Sequence, residues 1–302
     1  MRRSLTVLFL GLAGCHQVHL AANDTFAMGS SESTLEARVE RHTSPTKTAP
    51  AAGVLVQFFM HEQKLGQCLT DVKGIARFMC CLPAGTTHYR AEVGNGRDKV
   101  TDEGLVFTFP AGRTVIVCDI DETVSLTHYR ELVFDSRDDM WSKPFPDAAA
   151  TLTEVSRRFG VVYLTARPYF LLEKTKRWLL ANGFPTCPVI TTPSFSQALG
   201  VQAFKAERIK HLEGVLHTVG IGIGNANTDS EAFAMQSLLT IIIDDHDDNK
   251  FRSHAIILRN WKMVRAFFEA NRGLLEDPAK LRSAIDGEQM IQRPIMKYQK
   301  AG

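Results

Sequence analysis

Hydrophobic positions fall into two regimes along the 302 residues. Between residues 53 and 109 the apolar runs are short and separated by turn signals. Residues 53–59 read as a strand. Residues 67–69 and 75–78 flank a turn at 70–74, residues 87–93 alternate in character, residues 94–96 form another turn, and 105–109 another strand. Short strands with regular turns predict a small β-sandwich of immunoglobulin-like type over residues 51–111. From Val115 onward strands alternate with helices. Apolar runs at 115–118, 161–165, 189–191, 218–223 (interrupted by glycine), 240–243 and 255–258 predict strands. Helices are expected at 148–159, with Asp147 as N-cap and Gly160 as stop, and at 170–181, 204–212, from 230 and at 261–270. That alternation predicts an α/β domain, a doubly wound parallel sheet flanked by helices, over residues 112–275.

The ends carry weaker patterns. Arg2 and Arg3 precede an apolar run from Leu5 to Leu12, which predicts an export signal over residues 1–14. Leu12-Ala13-Gly14-Cys15 resembles the bacterial lipobox. The resemblance implies lipidation of Cys15, which would hold the protein on a membrane surface of the bacterial cell envelope. His16 rather than aspartate after that cysteine hints, by resemblance to sorting rules, at the periplasm-facing outer membrane. Residues 15–50 are rich in Ser, Thr, Ala and Glu without hydrophobic periodicity, which predicts a flexible tether. The polar residues 276–302 are expected to form a C-terminal tail that wraps or frays. No apolar run approaches about 20 residues, so no transmembrane helix is expected.

Composition changes this picture little. A hydrophobic share of 44% and a net charge of +2 are ordinary for a globular chain and give no argument for nucleic-acid binding. The cysteines lack a zinc spacing. Cys68 and Cys80 flank the 70–74 turn and could pair in an oxidising compartment. Cys118 reads as a small core residue.

The chemistry lies at predicted strand ends. Asp119 and Asp121 follow the apolar run at 115–118, and alternate residues of a strand project to one side. Two carboxylates that close repel unless a cation sits between them or one is protonated. Ligands of open α/β sheets bind beyond the carboxyl ends of strands. The pair therefore points to a hard metal ion and phosphoryl chemistry. Thr165 ends the second strand, where its hydroxyl could donate to a phosphoryl oxygen. Arg167 follows, as a recruiter of an anionic headgroup or as a surface residue. Lys205 lies at a helix start, and Asn225 and Asp229 lie in the turn after the fourth strand, as oxygen ligands for magnesium or its waters. Each also has a plain structural reading, Thr165 as a cap, Lys205 as a surface charge and Asp229 as an N-cap. Their arrival in order at successive strand ends argues against coincidence. Asp244, Asp245, Asp247 and Asp248 read as a solvated acidic loop, or as residues lining the site's mouth.

Asp119-Ile120-Asp121-Glu122-Thr123, Thr165, Lys205 and the Asn225–Asp229 turn resemble the four motifs of the haloacid dehalogenase (HAD) superfamily. Tyr163-Leu164-Thr165-Ala166-Arg167, Phe204-Lys205 and Gly224-Asn225-x-x-x-Asp229 are similar to the corresponding motifs of the lipin-type phosphatidate phosphatases. An immunoglobulin-like module beside the catalytic domain is a lipin trait as well. The chain departs from lipins at Glu122, where they have glycine, and in its more compact spacing.

The resemblance implies a HAD-like (Rossmannoid) domain and a Mg²⁺-dependent phosphatase. Asp119 would be the nucleophile and Asp121 the general acid and base. Asp119, the Asp121 carbonyl and Asn225 would hold Mg²⁺, with Asp229 orienting Asn225 or a metal-bound water. Thr165 and Lys205 would hold the phosphoryl oxygens. Neither residues 124–160 nor the stretch from Arg167 to Lys205 leave room for a large cap. An open site suits phosphatidate or a related lipid phosphate at a membrane surface. The alternatives are a broad-specificity periplasmic acid phosphatase on soluble phosphomonoesters, whose first motif shares Asp-x-Asp-Glu-Thr, and a non-catalytic lipid-binding module.

Overall fold

The computed structural model describes residues 18–29, 32–44, 47–82, 85–126, 142–168, 171–192, 201–245 and 255–287. Cys15, residues 1–14, Asp247, Asp248 and the last residues of the expected tail lie outside them. The chain divides into two compact units. The first draws on residues up to 23, 35–80 and 88–104, the second on 24–34, 81–87 and 105 onward.

Nine strands come first along the chain: β1 (Val18–Asn23), β2 (Thr25–Met28), β3 (Glu32–Ser44), β4 (Lys47–Pro50), β5 (Leu55–Met60), β6 (Gln63–Leu69), β7 (Ile75–Cys81), β8 (Gly85–Val93) and β9 (Val100–Phe109). In the first unit, β1 and β4 pair antiparallel with β3, which β7 also joins. A second sheet carries β9, β8, β5 and β6 in that order. Tyr89 of β8 donates its hydroxyl to the carbonyls of Asn23 and Glu36 at 2.5 and 2.6 Å, and Phe58 of β5 stacks on Phe78 of β7. Side chains of one sheet thus reach the other, as in a sandwich.

Two expectations are corrected here. Residues 15–50 are not a tether where they are described, because β1 to β4 run through them. Ser33, Leu35, Ala37 and Val39 of β3 are buried on alternate positions. A period-two face made of small and medium residues can fill a sandwich core without large apolar runs. The 70–74 turn does join two strands, but β6 and β7 enter different sheets. Cys68 and Cys80 therefore do not face each other across a hairpin ladder, and Cys68 is a free thiol.

The second unit holds a six-stranded, all-parallel sheet in the order β12-β11-β10-β13-β14-β15. Its strands are β10 (Val115–Cys118), β11 (Gly160–Pro168), β12 (Val189–Thr192), β13 (Val219–Gly224), β14 (Leu239–Ile243) and β15 (Ile256–Leu258). The described helices are α1 (Ala148–Ser156), α2 (Leu172–Ala181), α3 (Val201–Leu216), α4 (Asn227–Met235), α5 (Trp261–Ala270), α6 (Arg272–Leu275) and α7 (Pro278–Asp286). β10 is central and fully buried, and its side chains alternate between two cores. Ile116 and Cys118 face the side packed with Leu152, Trp178 and Phe267, while Val115 and Val117 face Phe204, Leu212 and Phe233. Helices on both faces explain why the strand is apolar at every position.

β2 runs parallel to the 106–109 end of β9, and Phe26 and Met28 pack on the second of these cores. Gly160 starts β11 rather than stopping a helix. Asp147 precedes α1 in a left-handed conformation and makes no side-chain cap. The expected tail includes a helix, since Asp277 caps α7 by accepting from the Ala279 and Lys280 N–H groups. Leu281 and Ala284 of that helix are buried, which holds it to the domain.

Candidate active site

β10 ends at Cys118, and the Asp119 N–H still donates to the Ile223 carbonyl of β13 at 2.9 Å. That bond fixes Asp119 at the carboxyl edge between the two central strands. The chain then turns sharply. Glu122 adopts φ +56°, a left-handed conformation that glycine adopts with less strain. The N–H groups of Val124 and Ser125 return to the Ile120 carbonyl. The residue at which the chain departs from lipins is thus the one whose backbone favours glycine.

Four chain segments meet at this edge. Lys205, in the first turns of α3, is 3% exposed. Its ammonium donates to Asp119 Oδ1 at 2.6 Å and also to Asp229 Oδ1. Burial is the largest influence on Asp119 and pushes its carboxyl up to about 7, against the pull of Lys205; Asp229 and Asp121 push the same way. Burial would lower the Lys205 ammonium, but the two carboxylates overcome it and hold the group protonated above its ordinary range. The other oxygen of Asp229 accepts from the main-chain N–H groups of Asn225 and Ala226. Asp229 therefore closes the turn that presents Asn225 and anchors Lys205.

Asp121 has different partners. Arg167 grips its carboxylate with Nε at 3.0 and 3.1 Å and Nη2 at 2.8 Å. Thr165 donates its hydroxyl to Asp121 Oδ2 at 2.9 Å. The two carboxylates of the first motif thus stand at one edge, each held by its own cation. Arg167 is only 2% exposed and is not a surface residue.

Thr123 is a contributor that sequence reasoning passed over. Its hydroxyl lies 3.2 Å from both Asp119 Oδ2 and Asn225 Oδ1. Its carbonyl accepts from the indole N–H of the buried Trp261 at 2.9 Å. The four-residue spacing from Asp119 was the available signal. Trp261 gave none, because it is 138 residues distant.

The donor set can be tested against Mg²⁺. Asp119 Oδ2 and Asn225 Oδ1 both lie 3.2 Å from one hydroxyl, so two hard oxygen donors come close together at the ends of neighbouring strands. All-oxygen ligation of this kind suits Mg²⁺, which keeps several waters. Asp229 is not placed as a direct ligand, because both its oxygens are spent on Lys205 and on main-chain N–H groups. Among the described residues no group of three His, Cys, Asp or Glu side chains is assembled for a metal. A metal here therefore needs Asn225 and main-chain oxygen. Asp244 is half-buried and Asp245 exposed after β14.

Residues 116–241 match the family model for the LNS2 domain of PITM 1-3, a lipin-like domain of HAD type. The match contains Asp119, Asp121, Thr165, Arg167, Lys205, Asn225 and Asp229, and the family points to phosphatase-type chemistry. No curated protein matches the chain. Among solved structures, the fibronectin(III)-like modules of Clostridium thermocellum CbhA are 14% identical over 32% of this chain and 99% of theirs, with a TM-score of 0.21. The human B7-H4 IgV-like domain is 7% identical over 30% of this chain and 97% of its own, at 0.22. The Pnkp1/Rnl/Hen1 RNA repair complex matches at 16% identity over 43% of this chain and 42% of that one, at 0.33. Scores this low do not establish a shared fold.

Proposed function

We propose that the protein is a phosphoric monoester hydrolase that works through an aspartyl phosphate on Asp119, with phosphatidate or a related lipid phosphate as substrate. The observation that carries the reading is the pairing of Lys205 with Asp119 at the carboxyl edge of the central strand. A buried lysine opposes the burial that pushes the nucleophile's carboxyl up, and offers its remaining hydrogen-bonding capacity to a phosphoryl oxygen.

In the first half-reaction an Asp119 oxygen bonds to phosphorus as the ester P–O bond breaks, and Asp121 passes a proton to the departing alcohol. In the second, Asp121 takes a proton from water as that oxygen bonds to phosphorus and the Asp119–phosphorus bond breaks. Thr165, three residues before the end of β11, supplies a hydroxyl beside Asp121. Asp119, the Asp121 carbonyl and Asn225 would hold Mg²⁺. When bound, the ion neutralises the repulsion between carboxylate and phosphate. A lipidated Cys15 would bring the site to a membrane, where such substrates lie.

The test is a substrate panel in Mg²⁺ buffer, comparing phosphatidate in mixed micelles with water-soluble phosphomonoesters. Faster turnover of micellar phosphatidate, loss of activity on chelation and inactivity of Asp119→Asn are expected. Faster turnover of soluble esters would favour the broad-specificity acid phosphatase. An Asp119→Asn protein with full activity would remove the nucleophile assigned here.

A further inference from the structure

We propose that Arg167 is a positioning residue for Asp121, fixing the plane and direction of the carboxylate that exchanges the proton, rather than a contact for an anionic headgroup. The inference rests on the hydrolase reading above. Three N–H···O contacts of 2.8–3.1 Å join the guanidinium to both Asp121 oxygens. The remaining fork arm, Nη1, donates to Thr175 Oγ1 of α2 at 3.1 Å. The Arg167 main chain is held as well, its N–H by Thr165 Oγ1 at 3.2 Å and its carbonyl by Thr192 Oγ1 at 3.4 Å. The side chain is 3% exposed, so it offers a ligand almost no surface.

The geometry differs from that of Lys205 in a way that matters. An ammonium is a point charge and lets a carboxylate rotate. A guanidinium is a planar fork that matches the carboxylate plane and sets its orientation. Asp121 must aim one oxygen at the leaving alcohol and then at water, and a misaimed acid loses much of its effect. The Thr165 hydroxyl, on Oδ2, holds the carboxylate from a second strand residue. Thr175 in turn holds the fork, so α2 sets the angle at which Asp121 is presented.

Leaving-group dependence separates this role from the alternatives. An ester with a poor alkoxide leaving group needs the acid, and one with a good phenolate leaving group needs it little. Arg167→Gln, Arg167→Lys and Thr175→Val are compared with wild type on glycerol 3-phosphate and on p-nitrophenyl phosphate. Arg167→Gln should lower kcat on the alkyl ester by about 100-fold and on the aryl ester by about tenfold or less, with KM little changed. Arg167→Lys should behave like Gln, because charge without the fork does not aim the carboxylate. Thr175→Val should show the same split at smaller amplitude, and serves if Arg167 variants fold poorly.

Equal losses on both esters would overturn the proposal, as would rescue by Lys or a loss confined to KM, which would make Arg167 a substrate contact. A double-mutant cycle of Arg167→Gln and Asp121→Asn in thermal unfolding needs no activity, and additive effects there would also overturn it. A wild-type chain that hydrolyses neither ester, nor micellar phosphatidate, would instead sink the hydrolase reading and the positioning role with it.

Discussion

The Lys205 ammonium lies 2.6 Å from Asp119 Oδ1, and both groups are buried at the carboxyl edge of β10. One cation there also serves Asp229. Removing it leaves two buried carboxylates without their shared cation. Lys205→Met should therefore cost about 3–5 kcal/mol of stability and lower the melting midpoint, besides abolishing hydrolysis. Differential scanning calorimetry checks this, and a variant melting with wild type would show that the pair carries no such weight.

Two glycines of β13 make a paired prediction. A Cβ at Gly222 would stand 2.4 Å from the Phe233 ring, and one at Gly224 would stand 2.6 Å from the Asp229 carboxylate. Overpacking of this kind costs about 1–3 kcal/mol. Gly222→Ala should lower stability while leaving kcat near wild type. Gly224→Ala should push Asp229 off the Asn225 and Ala226 N–H groups and lower kcat out of proportion to its stability. Melting curves and steady-state kinetics on the two variants decide it.

Asp24 gives a pH-dependent prediction with a definite sign. Its Oδ1 accepts from Lys176 Nζ at 2.8 Å and from the Leu105 N–H, while Oδ2 is buried and has no hydrogen-bond partner among the described residues. Burial holds the carboxyl above its ordinary value of 3.8, with Lys176 opposing. A raised pKa means that the folded state binds the proton more tightly than the unfolded chain does. Wild type therefore loses stability as pH climbs from about 3.8 through the folded value, and an amide has no such loss. The melting midpoint of Asp24→Asn minus that of wild type should rise as pH climbs from about 3.8 through the raised folded value. A flat difference would contradict this assignment.

The thiols should sort by environment. Burial pushes Cys187 up to about 12 and Cys118 well above its ordinary range. Cys81 is exposed. Iodoacetamide at about pH 8 should label Cys81 first and leave Cys118 and Cys187 unmodified in the folded protein, with all three labelled in denaturant. Peptide mass mapping checks the order, and early labelling of Cys118 would mean that β10 opens.

Much of this molecule was legible in the chain. Val115–Cys118 is apolar at every position because the strand is covered on both faces, and that is a local pattern. Each such run marks where a strand ends, so Asp119 and Asn225 could be placed at one edge from the pattern alone, whereas β11 runs on past Thr165 to Pro168. The strands in residues 18–50 were not legible, because buried positions such as Ser33 and Ala37 of β3 alternate with polar ones and add little hydrophobic mass. The separation of β6 from β7 was not legible either, since a turn sequence does not say which sheet its strands enter.

The sequence alone determined which ionisable groups gather at the carboxyl edge of the sheet, because strand period and chain order place them there. Only the tertiary structure decided who pairs with whom. Arg167 reaches Asp121 through the lateral register of β10 on β11, and Lys205 reaches Asp119 through the packing of α3 on the sheet. Those pairings follow from distances of a few ångströms between residues 46 and 86 positions apart, which no local pattern encodes.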